Sequence, residues 1–264
     1  MIFDEKSYAE NMNKNGFTNG LRQKDLFIYA KWLKYIGKNF SQIKTDLNEF
    51  CKKHEPKYNE IIHANYIKRA LREVKKHHLR IPIEIHITKN ELEVIDNINN
   101  IKYQKALFII LLVSKYFKLN PVKILSKKNK EHKKDNNFNC YFNSNIKTAI
   151  ELAKIKLTKK ERIKMQRYLI ENKYLENTEN ATLKVLFAEI DGESIININN
   201  YNNIILYYEN YIGMKDAIHC IKCNKIIEKT NNKQKYCMEC AEEVHRDVKR
   251  NWKRKHDGSR QIKK

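Results

Sequence analysis

Several motifs are missing from this 264-residue chain, and each absence removes a class of function. There is no GxxxxGK(S/T) segment to cradle nucleotide phosphates, no HExxH pair to hold a catalytic metal and no GxSxG elbow to carry a nucleophile. His54, His63, His77, His78 and His86 have no metal-binding partners at suitable spacing. Asp191 and Glu193 flank a turn, where a hairpin corner is a plainer reading than a Mg²⁺ site. No enzyme is expected. Long apolar runs are missing too: residues 106–117 include Lys115 and fall far short of the roughly 20 apolar residues that a membrane helix needs. The first ten residues bring early acids and no apolar core of a signal peptide, so a cytoplasmic protein with no membrane partner is expected.

Acidic residues are scarce. Lys and Arg number 53 against 31 Asp and Glu, a formal net charge of +22. Residues 215–264 hold 15 basic against 7 acidic residues, a net of +8, so +14 is left for the first 214. The excess is widespread rather than confined to a tail. It argues against an acidic mimic and for a polyanionic partner, nucleic acid first. Cysteines are few outside one cluster: of six, only Cys51 and Cys140 stand alone, which fits reducing surroundings better than a disulfide scaffold.

The remaining composition, 41% hydrophobic and 32% charged, can bury a core, and the length suggests two or three units. The expected fold class is mainly α, with a short β-hairpin that could complete a winged helix-turn-helix, and a C-terminal zinc ribbon followed by a basic helix. Residues 1–20 read as an extended lead-in. Helical spacing follows in Leu26, Tyr29, Ala30 and Leu33, then in Ile43, Leu47, Phe50 and Cys51, then in Ile67, Ala70, Leu71 and Val74, whose opposite side shows Lys68, Arg72, Lys75 and Lys76. These helices make a bundle over residues 1–80.

Residues 81–214 form a mixed helical domain. Ile81, Ile83, Ile85 and Ile87 alternate as in a strand, and Thr88 with Glu91 spells a capping box. An apolar helix over 103–117 is a core candidate, and the lysine-rich segment 123–139 is an exposed loop. Over 144–200 come a helix at 146–155, a second capping box at Thr158 and Glu161, and a helix anchored by Ile163, Leu169 and Ile170. Runs at 183–190 and 194–198, joined through Asp191-Gly192, then suggest a hairpin. Read as a winged helix, this places Lys160, Lys164 and Arg167 on a helix for the major groove, with the 103–118 helix behind it. An ordinary helix and hairpin with lysines facing water satisfies the same pattern.

Residues 215–264 carry the sharpest signal. Cys220-Ile221-Lys222-Cys223 and Cys237-Met238-Glu239-Cys240 are two CxxC knuckles, with Asn231-Asn232-Lys233 as the expected hairpin tip between them. Four thiolates complete a tetrahedral site with no open position, which points to structural Zn²⁺; a [2Fe-2S] cluster and a redox pair are the alternatives. His219 and His245 read as flanking surface residues. Ile226, Ile227 and Tyr236 are nearly the only apolar material there, so ordering rests on the metal. A helix over 241–256 then aligns Arg246, Lys249, Arg250, Lys253 and Arg254 in one stripe, extended by Arg260, Lys263 and Lys264, with Trp252 set to pack on the ribbon or stack on a base.

The stretch from Asn232 to Ala241, with its upstream CxxC and basic helix, resembles the C-terminal zinc ribbon of small phage and plasmid proteins of low-GC Gram-positive bacteria. That resemblance covers about 45 residues and implies a DNA-associated role in regulation, replication or maintenance. The function expected is double-stranded DNA binding. The alternative is a module that binds a host nucleic-acid-associated protein.

Overall fold

The computed structural model describes residues 1–18, 20–121, 138–179 and 182–260, with side chains as far as residue 256. The basic segment 123–139 therefore lies almost wholly outside the described residues, as do Lys263 and Lys264, and the side chain of Arg260. The chain divides into two compact units, one of residues 1–83 and 114–141, the other of residues 84–113 and 142–264.

In the first unit, α1 (Glu5–Asn15), α2 (Gln23–Tyr35), α3 (Phe40–His54) and α4 (Ala64–Val74) close over a core that includes Met12, Leu26, Leu33, Leu47, Ile67 and Val74. The lead-in expected at residues 1–20 is instead helical over residues 5–15. Asp4 caps α1 by accepting from the Ser7 N–H at 2.9 Å, and Ala9 and Met12 are buried against α2. Phe3 is also buried, edge-on to Tyr116 at 5.1 Å, and its carbonyl accepts from the Tyr116 hydroxyl at 2.6 Å. The buried Lys31 ammonium pairs with Glu5, which also accepts the Arg80 backbone N–H at 2.8 Å. Asn39 and Gln42 cap α3 reciprocally, and Glu55 ends it one residue before Pro56.

In the second unit, the alternating isoleucines form a strand only at β1 (Ile85–Thr88); Ile81 is exposed. Thr88 then opens α5 (Lys89–Asp96) with the expected capping box. The apolar helix is α6 (Ile101–Leu119), whose residues 101–113 belong to this unit. Ala106 through Val113 are wholly buried, which explains why no single face of this helix is apolar. Beyond β2 (Cys140–Phe142), whose residues divide between the two units, come α7 (Ile146–Leu152) and α8 (Lys159–Glu171), each with a side-chain cap at its start.

The expected hairpin between 183–190 and 194–198 does not form. Instead β3 (Leu175–Asn177) pairs antiparallel with β4 (Leu183–Val185), with Leu175 opposite Val185. β5 (Ser194–Ile198) pairs with β1, with Ile85 opposite Ile198 and Ile87 opposite Ile196. All four isoleucines are buried, so pairing at long sequence separation wins by covering both strands' apolar faces. Gly192 serves close approach: a Cβ there would stand 2.7 Å from Glu189 Oε1 and 3.1 Å from Thr88 Cγ2.

Next comes α9 (Ile205–Tyr211), which lies outside the expected elements, with Ile205, Leu206, Tyr207 and Tyr208 buried. Tyr208 stacks on Phe108 at 4.9 Å, and Glu209 accepts from the buried Lys105 at 2.7 Å. β6 (Ala217–His219), β7 (Ile226–Glu228) and α10 (Met238–Arg260) complete the unit. Among the described residues no helix is long and apolar enough to cross a membrane.

Candidate metal centre and basic faces

The cysteine site is built on a hairpin and a helix start. β6 and β7 pair with Ile218 opposite Ile227, and the first CxxC fills the loop between them. There the Cys220 N–H donates to the Lys225 carbonyl at 2.9 Å and the Asn224 N–H to the Cys220 carbonyl at 2.8 Å. Asn224 takes the left-handed turn, with φ 56°. The hairpin tip is thus the first knuckle itself, not residues 231–233, which form a turn closed by the Gln234 N–H on the Asn231 carbonyl at 3.2 Å. Helix α10 also starts three residues earlier than expected, inside the second CxxC, so Cys237 immediately precedes it and Cys240 lies in its first turn. The Ile221 N–H on the Lys235 carbonyl at 3.0 Å ties the knuckles together.

The four Sγ atoms lie within 4.8 Å of one another, and those of Cys223 and Cys237 are 3.7 Å apart. Four thiolates placed tetrahedrally about 2.3 Å from one ion would be about 3.8 Å apart, so the donor set fits a metal. Cys220, Cys237 and Cys240 are buried, Cys223 is exposed, and Ile227 and Tyr236 pack against the group. Neither His219 nor His245 belongs to it.

The electrostatics agree with the geometry. Burial opposes ionisation of Cys220, but the backbone N–H groups of Cys237, Cys223 and Lys222 outweigh it and bring the thiol down to about 6. Burial, followed by the three neighbouring thiols, pushes Cys240 up to about 12. Sulfurs this close resist joint ionisation unless a cation neutralises them. Cys51, by contrast, is a lone core thiol pushed up to about 12 by burial.

Two contacts that the sequence reading missed secure the helix to the first knuckle. Lys225 pairs with Glu239 at 2.5 Å and Lys222 with Glu243 at 2.8 Å. In the sequence the signal is two acids four residues apart, Glu239 and Glu243, and two lysines three residues apart in the first knuckle, Lys222 and Lys225. At the ribbon's base, Lys215 bridges Glu228 at 2.7 Å and Glu209 at 3.8 Å, and the Ala217 N–H donates to Asn210 Oδ1 at 2.8 Å. The ribbon is thereby mounted on α9.

Two basic faces accompany this site. On α8, Lys160, Lys164 and Arg167 are exposed on one side, while Met165 and Leu169 are buried on the other. Ile163, expected as an anchor, is 52% exposed among the basic residues, and Met165 takes the core position instead. On α10, Arg246, Lys249, Arg250, Lys253 and Arg254 are all exposed. Asp247 approaches Arg250 at 3.7 Å, and among the described residues no carboxylate is within ion-pair distance of Lys249, Lys253 or Arg254. Trp252 does not pack on the ribbon; it is 62% exposed and stacks on His256 at 4.2 Å. On the first unit, Lys68, Arg72, Lys75 and Lys76 are exposed on and just beyond α4.

No family model, curated protein or solved structure matches this chain. The likeness of the ribbon to phage and plasmid proteins therefore has the cysteine spacing and basic helix alone behind it.

Proposed function

We propose that the protein binds double-stranded DNA, with α8 reading the major groove and α10 gripping the phosphate backbone. The observation that carries this reading is the pair of exposed basic faces, each on a helix with its own rigid support, in a chain of net charge +22. The order α7, α8, β3, β4, with β3 and β4 paired antiparallel, suits a winged helix whose wing is the β3–β4 pair rather than the segment after 183. A helix about 10 to 12 Å across fits a major groove about 12 Å wide. Lys249, Arg250, Lys253 and Arg254 would neutralise phosphates without reading sequence, and Arg246 lies on the same stripe.

The metal belongs to this reading as a structural Zn²⁺ held by Cys220, Cys223, Cys237 and Cys240. With four protein thiolates its role is to fix the ribbon, so that α10 leaves it in one direction. A role in regulation, replication or maintenance of phage or plasmid DNA follows from the ribbon's resemblance.

The experiment compares Arg167→Ala with wild type on a site selected from a random duplex library and on random duplex. Loss of a bidentate arginine–guanine contact costs about 1 to 3 kcal/mol on the selected site and little on random duplex. Equal losses on both would remove α8 from base reading. One observation favours a second reading, capture of a host protein: Val248 and Trp252 leave an exposed apolar stripe on α10. Failure of the selection to enrich any duplex would move the account to that reading.

A further inference from the structure

Ile61, at 88%, is the most exposed large apolar side chain of the described residues, and Ile62, adjacent to it in the loop between α3 and α4, is 72% exposed. This loop is held rather than loose. Asn59 Oδ1 accepts from the N–H groups of Ile61 at 2.9 Å and Ile62 at 3.1 Å, and the Asn59 carbonyl accepts the His63 N–H at 2.9 Å. Tyr58 anchors the approach, stacking on His63 at 5.1 Å and donating to Asn48 Oδ1 at 2.5 Å. Two isoleucines are thus presented in a fixed pose, with the ordering cost already met within the fold.

Their surroundings are cationic. Residues 52–76 hold eight Lys and Arg against three Asp and Glu, and Glu60 and Glu73 are already paired with Lys52 and Arg72. Lys57 before the isoleucines, and Lys68 and Arg69 in the first turns of α4, are exposed. Asn65 and Tyr66, also exposed, place an amide and a phenol beside the apolar pair. The cations meet phosphate on a duplex or on a lipid headgroup alike, but the exposed amide finds matched donors and acceptors on base edges, which favours a nucleic-acid surface over a lipid one.

We propose that this loop is a second duplex-binding element, in which Ile61 and Ile62 enter between base pairs as an apolar wedge while Lys57, Lys68 and Arg69 contact the flanking phosphates. An apolar wedge unstacks a base step and bends the duplex, and flanking cations compensate the deformation by backbone contact. The inference rests on the duplex-binding reading for its partner, but not on α8 or α10.

The test uses the full chain and a mixed-sequence duplex of about 30 base pairs, carrying 2-aminopurine to report unstacking and end-dyes to report bending. Wild type is expected to raise 2-aminopurine fluorescence and shorten the end-to-end distance. The double variant I61A/I62A should lose both signals and bind roughly ten to a hundred times more weakly, with an unchanged salt slope. K68A/R69A should instead make the log-affinity against log-salt slope shallower by about two. Both isoleucines project from the surface, and an unchanged thermal melt verifies the fold. Unaltered affinity, fluorescence and bending in I61A/I62A would overturn the wedge and leave duplex binding by the other faces standing. Absence of duplex binding by wild type would overturn both. If the variant lost binding only to phosphatidylserine vesicles, the loop would belong to a lipid surface and the proposal would fail.

Discussion

Replacing Cys223 by serine is the cleanest way to ask what holds the ribbon, because this thiol alone of the four is exposed and its loss opens no cavity. Ordering the chain from Cys220 to Cys240 costs about 1 kcal/mol per residue, roughly 20 kcal/mol. Against this stand Ile226, Ile227 and Tyr236, which at about 2 kcal/mol each contribute roughly 6 kcal/mol. The difference of about 14 kcal/mol falls within the 10 to 16 kcal/mol or so that structural zinc supplies in small fingers. A three-thiolate site should therefore fail to keep the ribbon ordered. Elemental analysis should find close to one zinc per wild-type chain and close to none in Cys223→Ser. Hydrogen exchange should then show the N–H groups of Cys220, Ile221 and Asn224 unprotected, while the β1–β5 ladder keeps its protection. A metal-free protein whose ribbon amides remain protected would show instead that apolar packing suffices to order the ribbon.

Two further outcomes are expected. Reversal of Lys249, Arg250, Lys253 and Arg254 to glutamate should weaken binding to every duplex and remove up to about four phosphate contacts' worth of salt slope; an unchanged slope would shift the backbone contact to Lys68, Arg72, Lys75 and Lys76. In the first unit, burial pulls the Lys31 ammonium below its ordinary value, against the hydrogen bond and charge of Glu5 that hold it up. Glu5→Ala strands that charge and should destabilise the unit by about 3 to 5 kcal/mol in urea melts, whereas pairing it with Lys31→Met should recover most of the loss; equal melts for single and double variants would contradict the pairing.

The parts of this molecule legible in its sequence are those set by local rules. Helix periodicity placed α2, α3 and α6, the Thr88–Glu91 and Thr158–Glu161 boxes marked two helix starts, and the CxxC pairs named the four ligand candidates. What was not legible depends on partners distant in sequence. Asp191-Gly192 spells a hairpin turn, yet Glu193 is drawn to β1, where its carbonyl accepts the Lys89 N–H at 2.8 Å, and Ile196 and Ile198 find Ile87 and Ile85 more than a hundred residues away. α1 was hidden because its mean character is polar and because Glu5 at its start is held by Lys31 and Arg80, both distant in sequence. Ile163 reads as core because it is apolar, but its register on α8 points it outward with the lysines.

Titration of wild-type protein with random duplex across salt measures whether binding proceeds by phosphate neutralisation. With 6 to 10 phosphates contacted, the log-affinity should fall along a slope of about −5 to −9, a loss on the order of a thousandfold to a hundred-thousandfold between about 50 and 200 mM salt. Duplex affinity that is absent at low salt, or that stays level across this range, would contradict it.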